Sequence, residues 1–115
     1  MHEMGIAQSV IDMATREAEL KCARAVLRVS LAIGELSGVD TESLTFCFEC
    51  LKKDTLLENA TLEISYKRRR HLCGACTREF DVLNHDVSCP QCHRLDTQFL
   101  SGDELELSQL EMEVA

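Results

Sequence analysis

Leu62-Glu63-Ile64-Ser65-Tyr66 alternates apolar and polar side chains, and Leu105-Glu106-Leu107 does so again. Between them stand Cys73-Gly74-Ala75-Cys76, twelve further residues, and Cys89-Pro90-Gln91-Cys92. Period-two alternation marks half-buried strands. A cysteine-rich segment bracketed by two such strands reads as an insertion between strands of one sheet. The cysteine spacing carries its own chemistry. Two cysteines three apart on a tight turn aim both sulfurs at one ion. Two such turns complete a tetrahedron, and four thiolates suit Zn(II). Gly74 and Pro90 fit the turns.

The segment needs such an ion. Residues 67–100 offer few apolar groups: Leu72, Phe80, Val82, Leu83, Val87, Leu95, Phe99 and Leu100. Pieces below about 40 residues usually require a metal, disulfides or assembly. Structural zinc supplies about 10 kcal/mol, which doubles as folding energy. Cys89-Pro90-Gln91-Cys92-His93 also satisfies the c-type haem pattern. Haem attachment accompanies export, and the acidic start Met1-His2-Glu3-Met4 shows no secretory pattern. His93 reads as a neighbour of the zinc site or an alternative ligand. His71 and His85 read as solvent-facing.

Working outward, apolar residues recur at helical spacing from Ile6 to about Cys22. Ile6, Val10, Met13 and Leu20 lie along one face, with Ala7, Ile11, Ala14 and Ala18 beside it. From Ala25 to Ile33 the period becomes two, placing Leu27, Val29, Leu31 and Ile33 on one side of a strand. Gly34-Glu35-Leu36-Ser37-Gly38 reads as a turn. Asp40 or Thr41 caps a second helix reaching about Lys53, with Leu44, Cys47, Phe48 and Leu51 inward. Leu62, Ile64 and Tyr66 form the next strand. The C-terminal alternation changes phase between Leu107 and Leu110, which calls for a bulge or two buried faces. The expected fold is α+β. Two helices pack on a three-stranded sheet, and a zinc-ribbon-like subdomain is inserted before the last strand. The expected division is an α/β domain over residues 1–66, a zinc subdomain over 67–100, and a strand returning to the first sheet over 101–115.

The chain has 115 residues, seven cysteines and a formal charge of −8. That balance opposes a general nucleic-acid binder, which needs a basic footprint. The run Lys67-Arg68-Arg69-Arg70, with Arg78 and Arg94, is the only support for a nucleic-acid or protein-docking zinc ribbon. No apolar run approaches a membrane span. Seven cysteines without a secretion pattern point to the reducing cytoplasm. Cys47-Phe48-Glu49-Cys50 is a third CxxC, read as helix packing rather than ligation, and Cys22 is read the same way. No phosphate-binding loop or nucleophile with a convincing base is present, so no enzyme is expected.

The N-terminus holds a second metal-binding possibility. The Met1 amine, the His2 backbone nitrogen and the His2 imidazole close a five- and a six-membered chelate ring on one ion. A deprotonated amide is a strong-field donor and favours square-planar Ni(II) or Cu(II) over zinc. Glu3 adds its backbone nitrogen or its carboxylate.

Several separate motifs, in order, resemble one family. They are Met1-His2-Glu3, Ala7-Gln8-Ser9, Ile33-Gly34-Glu35-Leu36-Ser37-Gly38-Val39, Phe46-Cys47-Phe48-Glu49, the double CxxC and Ser101-Gly102-Asp103-Glu104-Leu105. Over nearly its full length the chain resembles HypA/HybF-type hydrogenase nickel-incorporation proteins. The resemblance implies a small cytoplasmic metallochaperone with a weak nickel site at its N-terminus and a structural zinc in a separate subdomain. It implies work with a nickel-handling GTPase to load the large subunit of [NiFe]-hydrogenase. In some organisms it implies work with urease accessory proteins. By position, His2 and Glu3 fall on the family's nickel site, Asp40 on a residue that approaches nickel in some members, and Cys73, Cys76, Cys89 and Cys92 on the zinc ligands. Some members place a histidine after each CxxC. Here only Cys92 is so followed, while Thr77 follows Cys76, so exchange of thiolate for imidazole is not carried over. Cys50 is foreign to the pattern.

Overall fold

The structure, a computed structural model, describes residues 2–114. Helix α1 spans Glu3–Leu20 and ends where the Lys21 amide donates to the Glu17 carbonyl and the Cys22 amide to the Glu19 carbonyl. Cys22, at φ 53°, then turns the chain into strand β1, Ala23–Gly34. A single 3₁₀ turn, Glu35–Ser37, leads to helix α2, Thr41–Leu51. Strands β2 (Thr61–Lys67), β3 (Arg70–Cys73), β4 (Glu79–Asp81), β5 (Thr97–Ser101) and β6 (Leu105–Val114) follow. One sheet has the order β2-β1-β6 and a second has the order β4-β3-β5. The first carries the two helices. The second lies within the cysteine-rich stretch between β2 and β6. No helix among the described residues is long and apolar enough to cross a membrane.

The chain divides into two compact units. One comprises residues up to Ala32, Gly38–Ser65 and from Glu106 onward; the other comprises Ile33–Ser37 and Tyr66–Leu105. In the first unit α1 packs on α2, and α1 buries Ala7, Val10, Ile11, Ala14 and Ala18. This corrects the expected face. Met13 and Leu20 are exposed, and the row spaced four, three and four residues apart (Ala7, Ile11, Ala14, Ala18) is the buried one. Helix α2 buries Leu44, Cys47 and Phe48, and the loop beyond it buries Leu57 and Ala60.

Strand β1 also departs from simple alternation. Val26 is 0% exposed and Leu27 is 38% exposed, the reverse of the expectation. Leu27 and Arg28 are exposed in succession, and the inward phase resumes at Val29. The Val26 amide donates to the Leu56 carbonyl of the loop after α2 at 2.9 Å. Strand β6 shifts phase at Ser108-Gln109, between half-buried Leu107 and Leu110. Tyr66, expected inward, is exposed. Across the first sheet Arg28 meets Glu63 at 3.6 Å and Glu111 at 3.2 Å, and Arg24 meets Glu113 at 3.8 Å. These exposed pairs contribute little each.

In the second unit β3 is central and antiparallel to both neighbours, with His71 opposite Phe80 and Phe99. Its core is Cys73, Phe80, Val82 and Cys89, with Cys76 and Val87 packed against it. Gly102 sits at φ 125°, and a Cβ there would lie 2.7 Å from the Arg69 Cα. A Cβ at Gly34 would collide with the Gly102 carbonyl, so both positions exclude side chains.

Candidate metal centres

Each CxxC forms the same turn. The Cys73 amide donates to the Arg78 carbonyl at 2.9 Å and the Thr77 amide to the Cys73 carbonyl at 2.8 Å. The Cys89 amide donates to the Arg94 carbonyl at 2.9 Å and the His93 amide to the Cys89 carbonyl at 2.8 Å. The left-handed residue of each turn is the one after the second cysteine, Thr77 at φ 58° and His93 at φ 64°. Gly74, in contrast, has no positive φ, and a side chain at Gly74 would meet open space. The turn therefore does not depend on that glycine. The recurring unit is C-x-x-C-x-R, whose third x, Thr77 or His93, takes the left-handed conformation.

The four sulfurs lie within 4.8 Å of one another. Cys73 and Cys92 are 3.5 Å apart, as are Cys76 and Cys89. Zn–S bonds of about 2.3 Å in a tetrahedron place sulfurs about 3.8 Å apart, so the donor set and its size fit zinc. His93 is not part of this cluster. Its amide closes the second turn and its side chain is exposed.

The turns prepare thiolates. The Cys76 amide, followed by that of Ala75, holds the Cys73 thiol below its ordinary value. The Cys92 amide, followed by that of Gln91, brings Cys89 down to about 6. The second cysteine of each turn behaves differently. The Arg78 amide lowers Cys76, but protons shared with Cys89 and Cys73 outweigh it and push Cys76 up to about 11. Cys92 is likewise raised despite the Arg94 amide, chiefly through Cys73. Four thiols this close cannot all ionise without a cation, and a divalent metal supplies it.

His71 is not solvent-facing as expected: it is 6% exposed, set between Phe80 and Phe99. The Thr97 hydroxyl donates to the Val87 carbonyl at 2.7 Å, so His71 Nδ1, 2.9 Å from Thr97 Oγ1, is the donor of that pair. Burial, then Arg69, lowers the imidazole pKa, which keeps the ring neutral. The Nε2 atom has no partner among the described residues. Thr97 thus links His71 to Val87, which packs against the core that contains Cys73 and Cys89. Only the period-two spacing of His71 and Cys73 hinted at this. His85 is exposed, as expected, beside Arg69 Nη1 at 3.4 Å.

Two cations of the basic run, and Arg94, are paired with carboxylates of the same unit at its surface. Arg70 pairs with Asp81 at 2.6 Å, Arg68 approaches the same carboxylate at 3.6 Å, and Arg94 pairs with Asp96 through two nitrogens. Of the three remaining cysteines Cys47 is buried, while Cys22 and Cys50 are exposed and do not pack as expected.

At the other candidate centre, Met1 lies outside the described residues. His2 is the N-cap of α1, in extended conformation and without a side-chain cap bond. Its imidazole is exposed. The Glu3 carboxylate, expected near the same ion, accepts the Asp40 amide at 3.1 Å. Asp40 itself caps α2, with Oδ1 accepting from the Glu42 amide at 3.0 Å and the Ser43 amide at 3.2 Å. Glu3 and Asp40 are thus brought together across 37 positions of sequence.

Comparison with known proteins agrees with this arrangement. The family model described as "Hydrogenase/urease nickel incorporation, metallochaperone, hypA" matches residues 1–112. A hydrogenase maturation factor HypA of Geobacter metallireducens is 42% identical, over 98% of this chain and 100% of the relative. One from Chlorobium limicola is 38% identical, over 98% of this chain and 97% of the relative. The solution structure of the Ni metallochaperone HypA from Helicobacter pylori superposes with a TM-score of 0.68 at 28% identity, covering 100% of both chains. A second solution structure of a HypA protein gives 0.71 at 27% identity, covering 100% of this chain and 98% of the other. The chain belongs to the HypA family of hydrogenase nickel-incorporation metallochaperones and is a maturation factor, not an enzyme.

Proposed function

We propose that this chain carries Ni(II) at its N-terminus and delivers it during maturation of [NiFe]-hydrogenase, with a structural Zn(II) on Cys73, Cys76, Cys89 and Cys92. The nickel donors are the Met1 amine, the His2 amide and imidazole, and the Glu3 backbone nitrogen, with Asp40 beside them. One observation carries this reading: α1 begins at Glu3, behind an N-cap at His2. The first amides of a helix have no intrahelical acceptor. A metal can therefore displace the His2 and Glu3 amide protons without breaking the helix. The positive end of the helix dipole also favours the resulting amidates. Two amidates balance the ion's charge, so the complex remains neutral at a helix terminus.

Division of labour follows the sequence. The α/β portion over residues 1–66 handles nickel and 67–100 holds zinc. The 101–115 strand returns to the first sheet. Zinc, when bound, supplies cross-linking and charge, and no transfer step needs it. Release to an acceptor with more or softer donors is favoured because the His2 imidazole is exposed. A nickel-handling GTPase and the hydrogenase large subunit are the proposed partners, in the cytoplasm, with urease accessory proteins as further recipients.

Nickel titration of wild type, His2→Ala and an N-terminally extended chain tests this reading, with metal content measured first. The expected results are one zinc per chain and nickel binding lost in both variants. Unchanged nickel affinity in the extended chain overturns the terminal-amine site.

A further inference from the structure

We infer that the Glu3 carboxylate is a positioning group: it ties the first turn of α1 to the N-terminus of α2 and so sets the segment bearing His2, without binding the metal itself. The inference rests on the N-terminal nickel reading above and assigns a role within it.

The geometry is that of a capping box divided between two helices. In a capping box the cap side chain takes the amides of the first turn, and a Glu or Gln three positions on reaches back to the cap's own amide. Asp40 does the first part, accepting the Glu42 and Ser43 amides. The third position here is Ser43, too short to return the bond. Glu3, from the other helix, fills that place with Oε2 at 3.1 Å from the Asp40 nitrogen. The carboxylate therefore sits in the first turn of one helix and against the cap of the other, where both dipoles favour a negative charge. Both acids of the candidate site are thus engaged by backbone donors of these two helix starts. They hold the chain end and leave chelation to the amine, amides and imidazole.

Ni(II) affinity, the d–d absorption of the nickel complex and the Asp40 amide resonance should be measured for wild type, Glu3→Ala, Glu3→Gln and His2→Ala. Thermal unfolding confirms that each variant folds. Glu3→Ala should weaken nickel about tenfold, the equivalent of one good hydrogen bond. Glu3→Gln should stay within about threefold of wild type, because its amide oxygen accepts the same N–H. The d–d band at saturation should not move in either Glu3 variant, since the ligand set is unchanged. The Asp40 amide should shift in Glu3→Ala alone. A moved band with equal loss in Glu3→Gln and Glu3→Ala makes the carboxylate a ligand and overturns the proposal. Wild-type affinity in Glu3→Ala overturns it as well. Wild-type affinity in His2→Ala is a separate failure, that of the N-terminal site itself.

Discussion

Stripping the metal from the four-cysteine centre should melt the β3–β5 region and spare the α1–α2 unit. The magnitudes follow from what each unit buries. In the second unit the buried cluster has only two large apolar side chains, Phe80 and Val82, besides Cys73 and Cys89. Full burial of such side chains is worth about 1.5–3 kcal/mol each, so the pair supplies about 3–6 kcal/mol. A structural zinc contributes about 10 kcal/mol or more, which exceeds that sum. The first unit buries Val10, Ile11, Val26, Val29, Leu31, Leu44, Phe48 and Leu57 and needs no metal. Hydrogen exchange before and after chelation, with the thiols kept reduced, measures the difference. The amides of His71, Leu72, Cys73, Thr77 and His93 should lose more than about a thousandfold of protection, because each 1.4 kcal/mol is a factor of ten. Amides of α1 and α2 should change little. Undiminished protection across Arg70–Ser101 in the metal-free chain would refute the reasoning, as would equal loss in both units.

Gly102→Ala should destabilise the second unit by about 3 kcal/mol or more, since φ 125° and the Arg69 Cα at 2.7 Å both oppose a side chain; exchange protection in β3 measures it. Asp40→Ala should cost about 1–2 kcal/mol through loss of the α2 cap, while Asp40→Asn should restore most of it, as read from urea midpoints by circular dichroism. Glu3 has its acid strength raised by the Asp40 amide in the folded state, so its tie is complete above the ordinary value of 4.5 and is lost as pH falls through a lower value. The Asp40 amide resonance should therefore titrate below pH 4.5. A midpoint at or above that value contradicts the tie. Nickel affinity should decline toward acid pH as protons compete for the imidazole and amine, which titration at several pH values checks.

Local geometry explains what could be read early. The ligand quartet was legible because each CxxC turn is closed by bonds within six residues, so spacing alone encodes it. The α2 cap was legible for the same reason, since Asp40 bonds only two and three residues ahead. The choice between two adjacent apolar rows on α1 was not, because both rows are apolar and only tertiary packing buries Ala7, Ile11, Ala14 and Ala18 while leaving Met13 and Leu20 in solvent. Nor was the exchange of Val26 for Leu27, since the phase of alternation breaks where Leu27 and Arg28 are both exposed. His71 looked like surface because burial of an imidazole depends on a hydroxyl acceptor at Thr97, 26 residues away.

By itself, then, the sequence determined the class of the fold, the place of the insertion and the four cysteines that cluster. Helical and strand periods, and the reach of a tight turn, act over a few residues and are written in spacing. Tertiary structure alone decided which faces are buried and which acids hold which helix. The link between Glu3 and Asp40 shows why. It spans 37 positions and exists only because two helix starts are packed side by side, an arrangement no local pattern encodes.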